Sequence, residues 1–282
     1  MALDLFKPTL WSGRFINNMD KALVFKQVVD TSYQGEIQFG QVLKINEIGD
    51  IDISTYGSTG LTWQDVDDAQ RELVIDQKKY FAFQVDDADA AQMRPQVMNG
   101  AMQRASFNMA DEVDGFIAGK YGEAGITNAS NLGSSTTGLN LYANMMPDLI
   151  TYMHRYLKEN NAMGRPWCVA PPWFMQLLRY AQITNSPATF DTPNSTAIEG
   201  RGSGMAFDFY ESNNVSNDGT DYRIMFGTRD AIAYAGQVEK VEAISREDYF
   251  RDGIKGLYIY GSKVVRPDHL GVVYAQFSGL TT

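Results

Sequence analysis

Residues 78–92, KKYFAFQVDDADAAQ, decide how this chain is read, because an aromatic run passes straight into three carboxylates, Asp86, Asp87 and Asp89, and then into alanines. Upstream, Phe81, Phe83 and Val85 share the parity of Leu73 and Ile75, the period of two expected of a strand with one face on a core. Downstream, Met93, Val97, Ala101, Ala105, Met109, Val113, Ile117 and Tyr121 recur at every fourth residue, with Met98, Met102 and Phe116 widening the stripe. That spacing predicts an amphipathic helix from Asp87 to Tyr121, roughly 50 Å long at about 1.5 Å per residue, with Pro95 kinking it or opening its second section. Such a rod is longer than a compact domain needs. At its positive end the three carboxylates read as caps and macrodipole partners, worth a few tenths to about 1 kcal/mol each, in preference to a metal or proton-transfer site.

Before this junction the chain is extended. GEIQFGQVLKINEIGDIDIS, residues 35–54, alternates apolar residues at Ile37 and Phe39, Leu43 and Ile45, and Ile51 and Ile53. Two strand stems, 35–53 and 71–85, flank a polar, glycine-containing segment at 54–70 that is far too long for a tight turn. They describe a projecting β-hairpin, which has little core of its own and gains stability by lying on another surface. Residues 1–34 hold Leu5, Phe6, Leu10, Trp11, Phe15 and Ile16 without helix or strand period, beyond a short helix around Met19–Val28. An apolar arm of this kind packs either across its own domain or on a neighbour.

After the long helix and a connection rich in Gly, Ser, Thr and Asn, a second helix is predicted at 141–160, on an apolar face of Tyr142, Met145, Met146, Leu149, Ile150, Met153 and Leu157. RPWCVAP reads as a strand and PPWFMQLLRYAQI as a helix opened by proline, while the segment 184–204 reads as a long polar loop. MAFDFYESNNV and YRIMFG are strand-like and joined through Asn217-Asp218-Gly219; QVEKVEAI, GLYIYGSKVV and GVVYAQF complete an α+β pattern.

Composition excludes several functions. The 34 acidic residues exceed the 24 basic ones, for a net charge of −10, so general affinity for a polyanion is not expected. The single cysteine, Cys168, excludes an internal disulfide and multi-cysteine zinc patterns, and fits synthesis in a reducing compartment. The stretch MALDLFKPTLWSGRF does not read as a secretory signal, and the sequence shows no apolar run of membrane length. Cys168 with His154 or His269 makes a poor nucleophile and base, since the cysteine lies inside an apolar strand pattern. GRGSG, residues 200–204, lacks the lysine and hydroxyl of a phosphate loop and reads as a flexible loop. NVSNDG, residues 214–219, begins like a calcium loop but carries Met225 where a glutamate is needed. Asp65, Asp67, Asp68 and Asp76 lie along the hairpin as solvated or inter-subunit carboxylates. No catalytic, cofactor-binding or metal-binding residue is assigned, and no cofactor is expected.

This order of parts resembles the major capsid protein of tailed double-stranded DNA phages, which has the Hong Kong 97-like fold. The phrases YQGEIQFGQVLKI, LVIDQKKYFAFQVDDADAAQ and EKVEAISREDYFRDGIKGLYIYGSKVVRPD carry the likeness, which spans nearly the whole chain. The resemblance implies an N-terminal arm at 1–34, an extended loop over an adjacent subunit at 35–85, and a peripheral domain with a spine helix at 86–138. It further implies an axial domain at 139–235, a return through the peripheral domain at 236–254, and strands completing the axial domain at 255–282. Function would then be geometric: the chain would assemble with itself as pentamers and hexamers in an icosahedral shell, made in the bacterial host cytoplasm and ending in the virion. Implied partners are a separate scaffolding protein, a portal protein at one vertex, a decoration protein, and packaged DNA bound without sequence specificity. Some members of the family weld a loop lysine to a neighbour's asparagine, but residues 54–70 contain no lysine, so such a cross-link is not expected. The chain starts on arm-like sequence, which favours a separate scaffold over a cleaved leading segment. Aromatic residues of the arm and loop, Trp11, Phe15, Trp63, Tyr80, Phe81 and Phe83, are the candidate inter-subunit contacts. The alternatives are an encapsulin-type nanocompartment shell and, from another class, an acidic cytoplasmic α/β enzyme with a dispersed site.

Overall fold

The computed structural model describes residues 23–33, 40, 42–48, 68–86, 96–127, 131–184, 201–204, 207–245 and 251–280. Trp11, Phe15, Trp63, Asp65, Asp67, Asp87, Asp89 and Pro95 lie outside them, as do most of the arm, the hairpin tip and the expected first turns of the long helix.

Three sheets organise the described residues. The first is the hairpin itself, β1 (Val42–Ile48) antiparallel to β2 (Asp68–Val74), in register from Val42 opposite Val74 to Ile48 opposite Asp68. The run that reads as one stem from 71 to 85 divides at Ile75–Asp76, because β3 (Gln77–Asp86) leaves the hairpin and pairs with β10 (Arg251–Val264). With β9 (Ile232–Ser245) on the other edge of β10, these form a three-stranded sheet ordered β3-β10-β9. Period two survives the break, which is why the sequence pattern does not reveal it: Leu73 and Ile75 are buried and Phe81 and Phe83 half-buried, all on odd positions.

Helix α1 (Phe25–Val28) is one turn of the N-terminal segment, and α2 (Gln96–Ala118) is the long helix, continued by a 3-10 turn at Gly119–Glu123. Its 23 residues extend about 35 Å at 1.5 Å per residue. Met102, Met109, Val113 and Ile117 of the sequence stripe are buried, and α2 packs against β3 and α1. Residues 23–30 also lie on their own chain: Leu23, Phe25, Val28 and Val29 are buried, and Asp30 makes a parallel bridge to Ala233. For this part of the arm the packing is that of a strap.

The third sheet has six strands, ordered β4-β11-β8-β5-β7-β6. They are β4 (Leu139–Tyr142), β5 (Trp167–Ala170), β6 (Arg201–Gly204), β7 (Phe207–Glu211), β8 (Tyr222–Gly227) and β11 (Leu270–Gly279). Helices α3 (Met146–Glu159) and α4 (Pro172–Thr184) pack on each other, and α3 also packs on β11. Three local expectations are corrected. Leu141 and Tyr142 belong to strand β4, parallel to β11, and the helix starts at Met146, where Pro147 suits a first turn. Residues 201–204 form edge strand β6, antiparallel to β7, where a flexible loop is expected from the sequence. Strands β7 and β8 do not pair with each other: β5 lies between them, parallel to β7 and antiparallel to β8. The Asn217-Asp218-Gly219 turn is real but closes only a bridge from Asn217 to Tyr222, with Gly219 at φ +96.

The hairpin is fastened by side chains. Ile45, Leu73 and Ile75 bury against Ala233, Ala235, Ile259 and Val265, and a Cβ on Gly261 would meet the Val74 carbonyl oxygen at 2.3 Å, so only glycine permits this approach. Leu73→Ala should cost about 2–5 kcal/mol of the local attachment. Amide exchange should rise across residues 68–75 while peptides from β8 and β11 stay protected.

Candidate assembly surface

Within the three-stranded sheet the two faces differ. Phe81 and Phe83 stack at 6.3 Å between ring centroids and 20° between planes, on the face that packs against the core. The neighbouring positions of β3 point the other way, and Tyr80 is 78% exposed there. Cross-strand register then builds a surface in two rows: Tyr80, Leu257 and Lys240 in one, and Ala82, Lys255 and Glu242 in the other. Together with Gly256 they line an open groove of about 370 Å³. Glu242 is held below the usual carboxylate range first by Lys240 and then by Lys255, whose ammonium lies 3.1 Å away. The groove thus presents an apolar tyrosine face beside two lysines sharing one carboxylate.

The hairpin has an outer face too. Val42 and Val74, opposite each other in register, are 42% and 44% exposed, whereas Ile45, Leu73 and Ile75 face inward. Of the candidate contacts described by the structure, Tyr80 is therefore presented to solvent, while Phe81 and Phe83 are turned toward the core. Sequence reasoning did not find the Val42–Val74 pair, because valines in an alternating strand give no sign of which face is covered.

The groups that could have carried chemistry are placed otherwise. Cys168 is buried in β5, and burial pushes its thiol well above the ordinary range, away from a reactive thiolate. His154 packs its ring edge against Phe207, at 6.2 Å between centroids. His269 does have a carboxylate partner, Asp230, with Nδ1 3.0 Å from Oδ2. Burial works to raise that carboxyl, but Thr228, which donates its hydroxyl to Asp230, and His269 outweigh it and hold it low. Both Thr228 and His269 therefore bond the acid, so the base does not stand between hydroxyl and acid as a relay needs. Arg266 completes the cluster 3.0 Å from the same carboxylate. Asp218 closes its turn by accepting from the Thr220 and Asp221 amides, and Met225, where a calcium loop needs a carboxylate, is buried in β8. Among the described residues no cluster of metal-ligating side chains occurs, and no helix is long and apolar enough to cross a membrane.

Comparison with known proteins points to one class. A family model described as phage capsid protein matches residues 70–275. The fold is similar to that of a structure from Mycobacterium phage Che8, with 26% identity, a TM-score of 0.68, and 89% of this chain and 90% of that one covered. It is also similar to the capsid of cyanophage P-SCSP1u, at 15% identity and TM-score 0.66 over 91% and 89% of the two chains. The capsid of Ralstonia phage GP4 shares the fold at 10% identity and TM-score 0.66, covering 88% and 86%. No curated protein matches the sequence.

Two measurements check this surface. Tyr80→Asp should change stability by no more than about 0.5 kcal/mol, as expected of an exposed site, yet abolish particle formation seen by light scattering. Cys168 should resist a thiol reagent in the folded chain and react only as the chain unfolds.

Proposed function

The chain belongs to the phage capsid protein family, and from that premise we propose how it is used in the shell. It is a structural coat protein of the virion with a Hong Kong 97-like fold, not an enzyme, and it assembles with copies of itself into an icosahedral head shell. We infer that it does so as pentamers and hexamers, with residues 1–34 as arm, 35–85 as extended loop, 86–138 and 236–254 as peripheral domain, and 139–235 with 255–282 as axial domain. The observation that supports this reading is a hairpin that, among the described residues, forms a two-stranded sheet of its own, with an apolar outer face at Val42 and Val74, beside a sheet that shows Tyr80 and two lysines.

The sequence supplies a partner for that groove. Residues 49–68 contain five aspartates, Asp50, Asp52, Asp65, Asp67 and Asp68, with no lysine or arginine, and include Tyr56 and Trp63. In the proposed arrangement the tip of one copy lies across the Tyr80 groove of the next, with acid against Lys240 and Lys255 and aromatic against aromatic. Charge pairs of this kind set register and encounter more than affinity, and salt screens them. Trp11 and Phe15 of the arm are proposed to anchor on a neighbour. Assembly in the host cytoplasm with a separate scaffolding protein, a portal at one vertex and a decoration protein on the outside completes the proposal. The net charge of −10 suits a wall that encloses DNA without clamping it, since phosphate and wall repel. The encapsulin-type and enzyme alternatives are not favoured by the family assignment.

Electron microscopy of the chain expressed alone and with its genomic neighbours should reveal closed shells, or capsomers that close with a scaffold. A uniform small oligomer under every condition would overturn the proposal. Removing residues 54–67 should leave a folded chain that does not close shells, and raising salt should slow assembly of the intact chain.

A further inference from the structure

Asp114 stands near the C-terminal end of α2 and is 1% exposed, the sole carboxylate among the buried polar side chains of the described residues. Its oxygens accept from a segment ninety residues earlier: the Val24 amide donates to Oδ2 at 2.8 Å and the Phe25 amide to Oδ1 at 3.2 Å. These amides open α1, a single turn that has no intrahelical acceptor for them. The strap's other ties do not involve Asp114. The Asp30 amide donates to Ile232 O at 2.8 Å, the Tyr234 amide to Asp30 O at 2.9 Å, and Arg229 Nε to Val29 O at 3.3 Å.

Among the described residues the surroundings give the carboxylate little help in carrying charge. Asp111, on the same helix, acts on it with the same sign. From the sheet, Tyr234 lies within electrostatic reach and shares a hydroxyl bond of 2.8 Å with Tyr258; burial holds the Tyr234 phenol neutral throughout the ordinary pH range. Lys26, beside Phe25, is half-exposed, and Glu112, next to Asp111, is engaged with Lys79 at 3.1 Å. A buried carboxylate whose acceptors are filled by another segment's backbone ties its own protonation to that segment's docking.

We propose that Asp114 is a proton-operated clasp: taking up a proton from solvent it fastens residues 23–30 to α2, and giving that proton back it loosens them. The neutral acid keeps its carbonyl oxygen as an acceptor while losing the cost of a charge in the core. Burial pushes the Asp114 carboxyl up to about 7, against the two amide bonds that lower it and with Asp111 adding to the rise, whereas an ordinary aspartate titrates near 3.8. Lifting the strap lets water reach the group and returns it toward that ordinary value. The docked form thus binds the proton more tightly, so the contribution is full below the ordinary carboxyl range and lost as pH rises to about 7. Between those limits the opening constant grows by up to about tenfold per pH unit, and above the upper one it is flat.

The test is amide exchange read by mass spectrometry on the full-length chain in its assembled form. Peptides covering residues 23–30 are followed from acid to mildly alkaline pH, each time corrected for the intrinsic exchange rate, with a peptide from 257–264 as internal control. Wild-type opening should rise roughly 10- to 100-fold between pH ~5 and ~7 and then level off. Asp114→Asn, which cannot ionise, should remove the rise. Asp111→Asn, at an exposed position, should move the midpoint to lower pH, because it withdraws a charge that raises the Asp114 carboxyl. Protection of 23–30 that does not vary with pH, or an unchanged profile in Asp114→Asn, would overturn the proposal. If Asp114→Asn does not fold, the Asp111→Asn midpoint decides, and an unmoved midpoint overturns it.

Discussion

Strand β10 is hydrogen-bonded along both edges, to β3 on one side and β9 on the other, and that arrangement ties the two ends of the chain together. It brings residues 77–86, which follow the hairpin, against residues 251–260 near the end of the chain. Long antiparallel pairing of this kind fixes register residue by residue, because a slip by one would carry Ile254 and Tyr258 out of the core and Lys255 into it. The core face then takes α2 and the strap, and the far end of β9 and β10 takes the base of the hairpin.

How much of this the sequence discloses depends on the range of the forces involved. Helix α2 is legible because its stripe is a local pattern, and Met109, Val113 and Ile117 are buried as their spacing requires. Strands β5, β8 and β11 are legible as apolar runs. The division of the stem at Ile75–Asp76 is not, since Leu73, Ile75, Phe81 and Phe83 keep one parity although they serve different clusters. Strand β4 was mistaken for helix because Leu141 and Tyr142 continue the apolar spacing of α3, and its partner β11 lies more than a hundred residues away. Of the candidate contacts, exposure of Tyr80 against half-burial of Phe81 and Phe83 follows from strand alternation, but which face is covered is decided by α2. Asp114 was missed because a lone carboxylate beside Val113 looks like the solvent side of a helix until the strap is seen to cover it.

The groups that could have carried chemistry are each held in a structural role. The buried thiol is inert, the Asp230–His269 pair is occupied with Thr228 and Arg266, and Asp218 holds its own turn. What the surface offers instead is shape: paired rows of side chains whose order is set by strand register. Such rows are specified by the backbone pairing directly beneath them, so they form one rigid pattern and not a set of independent side chains.

Among the described residues no ladder of backbone bonds joins the hairpin to the body, and Ile45, Leu73 and Ile75 pack there beside a close glycine approach at Gly261. A sheet bends stiffly because tilting a strand lengthens its hydrogen bonds, but apolar side chains can slide a little while still excluding water. Mechanically the hairpin is therefore an outrigger seated on side chains. A change in its angle would disturb no described backbone pairing between hairpin and body and would fall on the packing of a few methyl groups.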